Sequence, residues 1–404
     1  MRRVGTNAGN ALARHASAAV LMAMLCTAPD ALPVDGTMAS GAGKAQEIKV
    51  KKFYSIQYLR ACAALLVLFA HAFSYQIGVD NLIIVTAGRL GVVLFFVISG
   101  FIMVHITGDG PFSAATFLKR RAIRIIPLYW LFTSLAAVLA ALAPSLFQKT
   151  VFTWPHYLQS LLFIVHEAPG RDSASPILSL GWTLNYEVFF YIAFAVFAFL
   201  SVTSRVFVLT VFFIAMWIPG LWLAPTNPVI QFYLNPSPVA FVIGMWIGRR
   251  YLDGDFTSDI RHAWIFGVMT AAGVVLSFVD DGTPLLGQIS FAGQAMWAAG
   301  LLHLSLILEP KLKHWSLLEQ LGDASYALYL SHIFVIGAVA YLARRTVGYE
   351  HPTTVLLVSV VSIVAACLVS LVIYEMIEKP ILQTLNGRRK TRNTPLPHIA
   401  TENK

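Results

Sequence analysis

The stretch LRACAALLVLFAH, residues 59–71, sets an arginine and a histidine eleven positions apart in an otherwise apolar run. At about 100° per helical residue, eleven steps return to within ~20° of the start, so Arg60 and His71 share one helix face about 16 Å apart along the axis. An ionisable side chain in an apolar span costs at least ~2.5 kcal/mol, so both belong on the bundle interior or a water-filled cavity. Arginine grips phosphate or carboxylate with two parallel hydrogen bonds, and neutral histidine accepts a proton near neutral pH. By spacing alone, a snorkelling arginine and a structural histidine satisfy the same pattern.

Other segments add chemistry at intervals. GRLGVVLFFVISGFIM (88–103) begins with Arg89 and carries Ser99 and Gly100; FLKRRAIRIIPLYW (117–130) packs Lys119, Arg120, Arg121 and Arg124 ahead of Pro127, Tyr129 and Trp130. LGWTLNYEVFFY (180–191) holds Trp182, Asn185, Glu187 and Tyr191, GDASYALYLSH (322–332) ends on His332, and YEMIEKP (374–380) closes the apolar region.

The elements that must position these residues follow from composition. The chain has 404 residues, 57% of them hydrophobic and 12% charged, with a mean hydropathy of +0.69, which excludes an ordinary soluble domain. A hydrocarbon core of about 30 Å needs roughly 20 apolar residues per helix, and about ten stretches qualify. They run 55–75, 89–107, 125–143, 182–200, 205–223, 233–250, 263–279, 286–308, 323–342 and 354–377. The expected fold is therefore all-α, a polytopic membrane helix bundle. Residues 150–166, broken by Trp154, Pro155, His156 and His166, are expected as an interfacial segment of a long loop.

Lysine and arginine cluster in alternate loops, so the positive-inside rule puts both termini in the cytoplasm. Topology and anionic lipid account for the net charge of +9 without nucleic acid as a partner. Cys26, Cys62 and Cys367 are scattered, with no disulfide framework or metal spacing. The chain divides into a signal-like or flexible extension (1–48), a transmembrane domain (49–380) and a basic cytoplasmic tail (381–404).

In order and spacing, these segments resemble the acyltransferase family 3 integral membrane O-acyltransferases from about Ile56 to Pro380. GWTLNYEVFFY and FFVISGFIM look most like the branch that decorates exopolysaccharides. Arg60 and His71 match the family's first-span signature, whereas Val93 stands where members commonly carry an acidic residue.

The resemblance implies an enzyme of the bacterial inner membrane that moves an acetyl or other short acyl group from acyl-coenzyme A to a sugar hydroxyl. Acetyl-CoA would be a co-substrate, with no permanently bound cofactor and no metal. A carbohydrate or lipid-linked oligosaccharide would be the acceptor, with membrane lipid and polysaccharide assembly machinery as further partners. His71, Arg60 and Glu187 are then the catalytic candidates, and Arg121, Arg124 and Tyr129 those for the donor. Arg89, Trp182, Asn185, Tyr191 and His332 are those for the acceptor. Glu187 is expected near His71 in the outer part of the bundle, at a depth where it can pair with Arg89. The alternative from another class is a transporter or flippase, whose intramembrane charges would be substrate or proton sites.

Overall fold

A computed structural model of the chain describes residues 53–385 apart from 78–80, 145–149, 224, 255–259, 281 and 347–350. The N-terminal extension and most of the basic tail lie outside the described residues. Among these, every regular element is helical: α1 (Tyr54–Ile77), α2 (Leu82–Thr107), α3 (Ala114–Leu142), α4 (Trp154–Leu161), α5 (Gly181–Val196), α6 (Val202–Trp217), α7 (Pro228–Tyr233), α8 (Ser237–Leu252), α9 (Ala263–Ser277), α10 (Pro284–Leu308), α11 (Ser316–Asp323), α12 (Ser325–Thr346), α13 (Pro352–Ile373) and α14 (Lys379–Leu385). A π-helical turn, Tyr374–Glu378, joins α13 to α14.

Among the described residues, seven helices are long and apolar enough to cross a membrane, and each coincides with one of the ten expected stretches. The other three, α5, α8 and α9, are helical but only 16, 16 and 15 residues long. Length is what a hydropathy pattern reads poorly. Stretch 182–200 is apolar throughout, yet its helix ends at Val196, and a Ser201 cap restarts the chain as α6.

Helix starts follow local chemistry. The Asn81 side chain accepts hydrogen bonds from the N–H groups of Ile83 and Ile84 at the start of α2. Glu309 caps α1 from across the chain, its carboxylate accepting from the N–H of Tyr54 at 3.0 Å and of Ser55 at 2.7 Å.

Without a hydrophobic force between helices in lipid, close backbone approach at small residues drives association. Gly100 on α2 and Gly244 on α8 interlock: a Cβ at Gly100 would come 2.0 Å from the Phe241 carbonyl oxygen, and one at Gly244 would come 2.0 Å from that of Val97. The basic end is tied by Arg205, whose side chain is wholly buried and donates to the carbonyls of Phe197 (3.2 Å), Leu200 (2.6 Å) and Gly110 (3.0 Å). Its guanidinium also stacks on Phe112 and Phe194. Arg205 therefore clamps the α2–α3 loop to the α5–α6 turn.

Candidate active site

Helix rise fixes how deep each chemistry-bearing residue lies. At about 1.5 Å per residue from the basic end, Arg60 is ~9 Å in, Arg121 ~10 Å, Arg124 ~15 Å, Ser99 ~12 Å and Glu187 ~13 Å. These five line one cavity of about 160 Å³, together with Thr183, Tyr191, Ser325, Tyr326 and Tyr329 and an apolar wall that includes Phe95, Phe96 and Ile102.

Glu187 is thus placed with the cations, not in the outer part of the bundle. The reason is the shortness of α5: its first residue, Gly181, packs against the Tyr129 phenol, about 22 Å from the basic end of α3. A helix that begins at mid-depth carries its seventh residue into the inner half. Arg89 does not reach Glu187 either. It bonds Asp280 at 2.5 Å and remains 48% exposed, joining the far end of α2 to the α9–α10 loop.

Within the cavity the charges are held by neighbours. Arg60 donates to Ser325 Oγ at 2.8 Å and to Gln57 Oε1 at 3.3 Å, spanning α1 and α12. Glu187 accepts from the Tyr191 hydroxyl and from Ser99 Oγ at 3.3 Å. Arg124 donates to Glu378 Oε1 at 2.5 Å and lies over the Tyr326 ring, whose hydroxyl bonds the Ile125 carbonyl at 2.7 Å. The π-turn aims Glu378 inward: 3% exposed, it leaves Oε2 unpartnered beside a guanidinium that faces the cavity. Arg121 lies over the Phe117 and Tyr191 rings with its Nε buried and unpartnered. Three guanidinium groups against one lining carboxylate leave the cavity cationic.

His71 lies about 25 Å from the basic end, beyond the cavity wall. Its ring meets that of His332 at 5.0 Å between centroids, and the His332 ring in turn stands 6.1 Å from that of Tyr329. Tyr329 closes the cavity on this side, its hydroxyl bonding the Leu180 carbonyl at 2.9 Å and meeting Thr183 Oγ1 at 2.6 Å. His71 Nδ1 donates to the Val67 carbonyl at 2.9 Å, so its Nε2 carries the lone pair that a base needs.

The remaining expected residues sit apart. Tyr129 is fully buried behind the cavity, donating to the Ser160 carbonyl at 3.1 Å and stacking on Phe163. Asn185 is buried with Oδ1 unpartnered, and Trp182 is partly exposed against Tyr186. Neither lines the cavity. Beside Tyr129, the segment after α3 is pinned by a buried pair, His156 Nδ1 donating to His166 Nε2 at 2.6 Å. Burial, then the His166 and Arg171 charges, push the His156 imidazolium down to about 4, so it is neutral at pH 7. Sequence reasoning gave no role to Ser99, Thr183, Ser325, Tyr326, Tyr329 or Glu378. A signal existed for the two tyrosines, which recur with His332 at i, i+3 and i+6 on one helix face.

A cationic cavity in a polytopic helix bundle, with a histidine pair beyond its far wall, is the arrangement that the fold and the site define. Which class it is follows from its relatives. The acyltransferase domain family matches residues 53–375, and the chain belongs to that family and is an acyltransferase. It is 35% identical over 313 residues to the exopolysaccharide production protein ExoZ of Rhizobium meliloti (strain 1021), covering 76% of this chain and 93% of that one. It is 24% identical over 394 residues to the acyltransferase MdmB of Streptomyces mycarofaciens, covering 86% and 96%. It is also 26% identical over 357 residues to the putative peptidoglycan O-acetyltransferase YrhL of Bacillus subtilis (strain 168), covering 80% of this chain and 54% of that one. No solved structure matches.

Proposed function

We propose that the protein moves an acetyl or similarly short acyl group from acyl-coenzyme A to a hydroxyl of an exopolysaccharide sugar carried on a lipid-linked chain. The observation that carries this reading is the cavity, in which Arg60, Arg121 and Arg124 converge at the basic end while Tyr329 in its far wall stands next to His332, whose ring meets that of His71. Guanidinium groups suit the donor's phosphates. The pantetheine arm is comparable in length to the ~16 Å between Arg60 and His71, so phosphates held at the basic end present the thioester to the histidine. Glu187, among the cations, would accept hydrogen bonds from the amide N–H groups of that arm. Likeness to a protein named for exopolysaccharide production supports the acceptor class.

In the reaction, the sugar hydroxyl oxygen attacks the thioester carbonyl carbon as His71 Nε2 takes the hydroxyl proton. The C–S bond then breaks, and the departing sulfur takes that proton as it leaves as a thiol. The test compares surface polysaccharide by mass spectrometry in strains with and without the gene. An acetyl-sized mass difference on polysaccharide sugars is expected. Identical polysaccharides, with a change in another glycan, would replace the acceptor class.

A further inference from the structure

A buried carboxylate stands behind the donor cations and has no role in the reading above. Glu378, at the end of the π-helical turn, is 3% exposed and does not line the cavity, yet its Oε1 accepts from Arg124 Nη1 at 2.5 Å. Its Oε2 is buried without a hydrogen bond. Besides Arg124, the groups acting on this carboxylate are the Arg60 guanidinium, the Ala327 N–H at the start of α12 and Asp323. The charges acting on Arg60 are in turn those of Arg124, Glu378, Asp323 and Glu187. Two of the three lining guanidinium groups therefore share one buried anion, and only one of its oxygens is spent on a hydrogen bond to them. A glutamine amide would fill the same volume and still accept from Arg124, so what Glu378 adds is its negative charge, at the cost of burying it.

We propose that Glu378 tempers the grip of Arg60 and Arg124 on the donor's phosphates, so that spent coenzyme A leaves the cavity. This rests on acyl-coenzyme A as the donor. Acyl-coenzyme A and coenzyme A carry the same phosphates, so a contact that tightens the first also retains the second, and such uniform binding adds nothing to the chemical step. A phosphate on the free edge of the Arg124 guanidinium would stand about 7 Å from the carboxylate, where like charges in a partly dry site repel by more than a tenfold change in affinity. Glu378 also keeps Arg60 and Arg124 close together while no phosphate is bound, since two guanidinium groups without an anion beside them repel.

Calorimetry of the full-length protein in lipid nanodiscs, with coenzyme A as the probe, tests this without any acceptor. Glu378→Gln should bind coenzyme A at least tenfold more tightly than the wild type, and in membrane vesicles coenzyme A should inhibit it at a correspondingly lower concentration. Pantetheine, which has the arm without the phosphates, should bind both proteins alike. Arg124→Gln should bind coenzyme A more weakly, and adding Glu378→Gln to it, which restores the wild-type net charge, should recover most of the loss. A residue that served only to hold Arg124 in place would give the opposite sign, so unchanged or weaker binding of coenzyme A by a folded Glu378→Gln protein overturns the proposal. An equal gain for pantetheine, or no recovery in the double variant, overturns it too. Where Glu378→Gln does not reach the membrane, Glu378→Ala, which admits water beside Arg124, is measured in its place with the same expectation. Coenzyme A that fails to bind the wild type removes the donor reading itself, and the proposal with it.

Discussion

At the scale of single residues, the cavity separates binding from chemistry. Arg121 and Arg124 lie on α3 away from His71, so replacing both with glutamine should raise the donor KM at least tenfold while moving kcat much less. Steady-state kinetics with acetyl-coenzyme A in membrane vesicles measures both, and an unchanged donor KM would return the pair to topology determinants. His71→Ala should insert normally yet abolish O-acetylation, checked by protein amount in the membrane and polysaccharide mass. The Arg60–His71 spacing was legible because helical periodicity alone puts two residues on one face. The Arg124–Glu378 pair was not, since its partners are far apart in sequence and meet through a π-turn that no periodicity announces.

At the scale of elements, the interlocked crossing of α2 and α8 carries Ser99 into the cavity one residue before Gly100. Gly100→Ala must push α8 away from α2, at a cost of about 1–3 kcal/mol or more, and should lower both thermal stability and activity. Gly337, on α12, has open space around its Cβ position, so Gly337→Ala should leave the melting temperature unchanged or raise it. The segment around α4 should answer to pH. Because the folded His156 titrates near 4, below the ordinary histidine value of about 6.5, protonation favours the unfolded segment. Its contribution is full above about pH 6.5 and is lost as pH falls toward 4. Amide protection factors in residues 154–166, taken against the intrinsic exchange rate at each pH, should therefore fall over that window, and His156→Phe should flatten the dependence. Each of the ten apolar stretches overlaps a helix, and seven of those helices are long and apolar enough to span a membrane; their ends differ from the sequence reading because caps and turns rather than hydropathy set them.

At the scale of the whole molecule, the arrangement is polar in the sense of having two ends. The basic end gathers the cations and the Arg205 clamp, and the paired histidines lie about two thirds of the way across. If that end faces the cytoplasm, as the distribution of lysine and arginine predicts, acetyl-coenzyme A inside sealed right-side-out vesicles should support turnover, and the same donor outside should not. Cysteine accessibility at a substituted Ser113 or Lys313 would report the orientation independently.

Helix α5 starts only at mid-depth, and the chain that leads into it from α4 is irregular and carries exposed Glu167, Gly170 and Asp172. Hydrocarbon does not tolerate bare backbone and charge of this kind, so water must reach in over the top of α5. Water then approaches α5 from the side opposite the cations. On the proposed function, a growing hydrophilic polymer arriving from that side would present a hydroxyl without entering the lipid, and its length beyond the reacting sugar would be of no consequence to the enzyme.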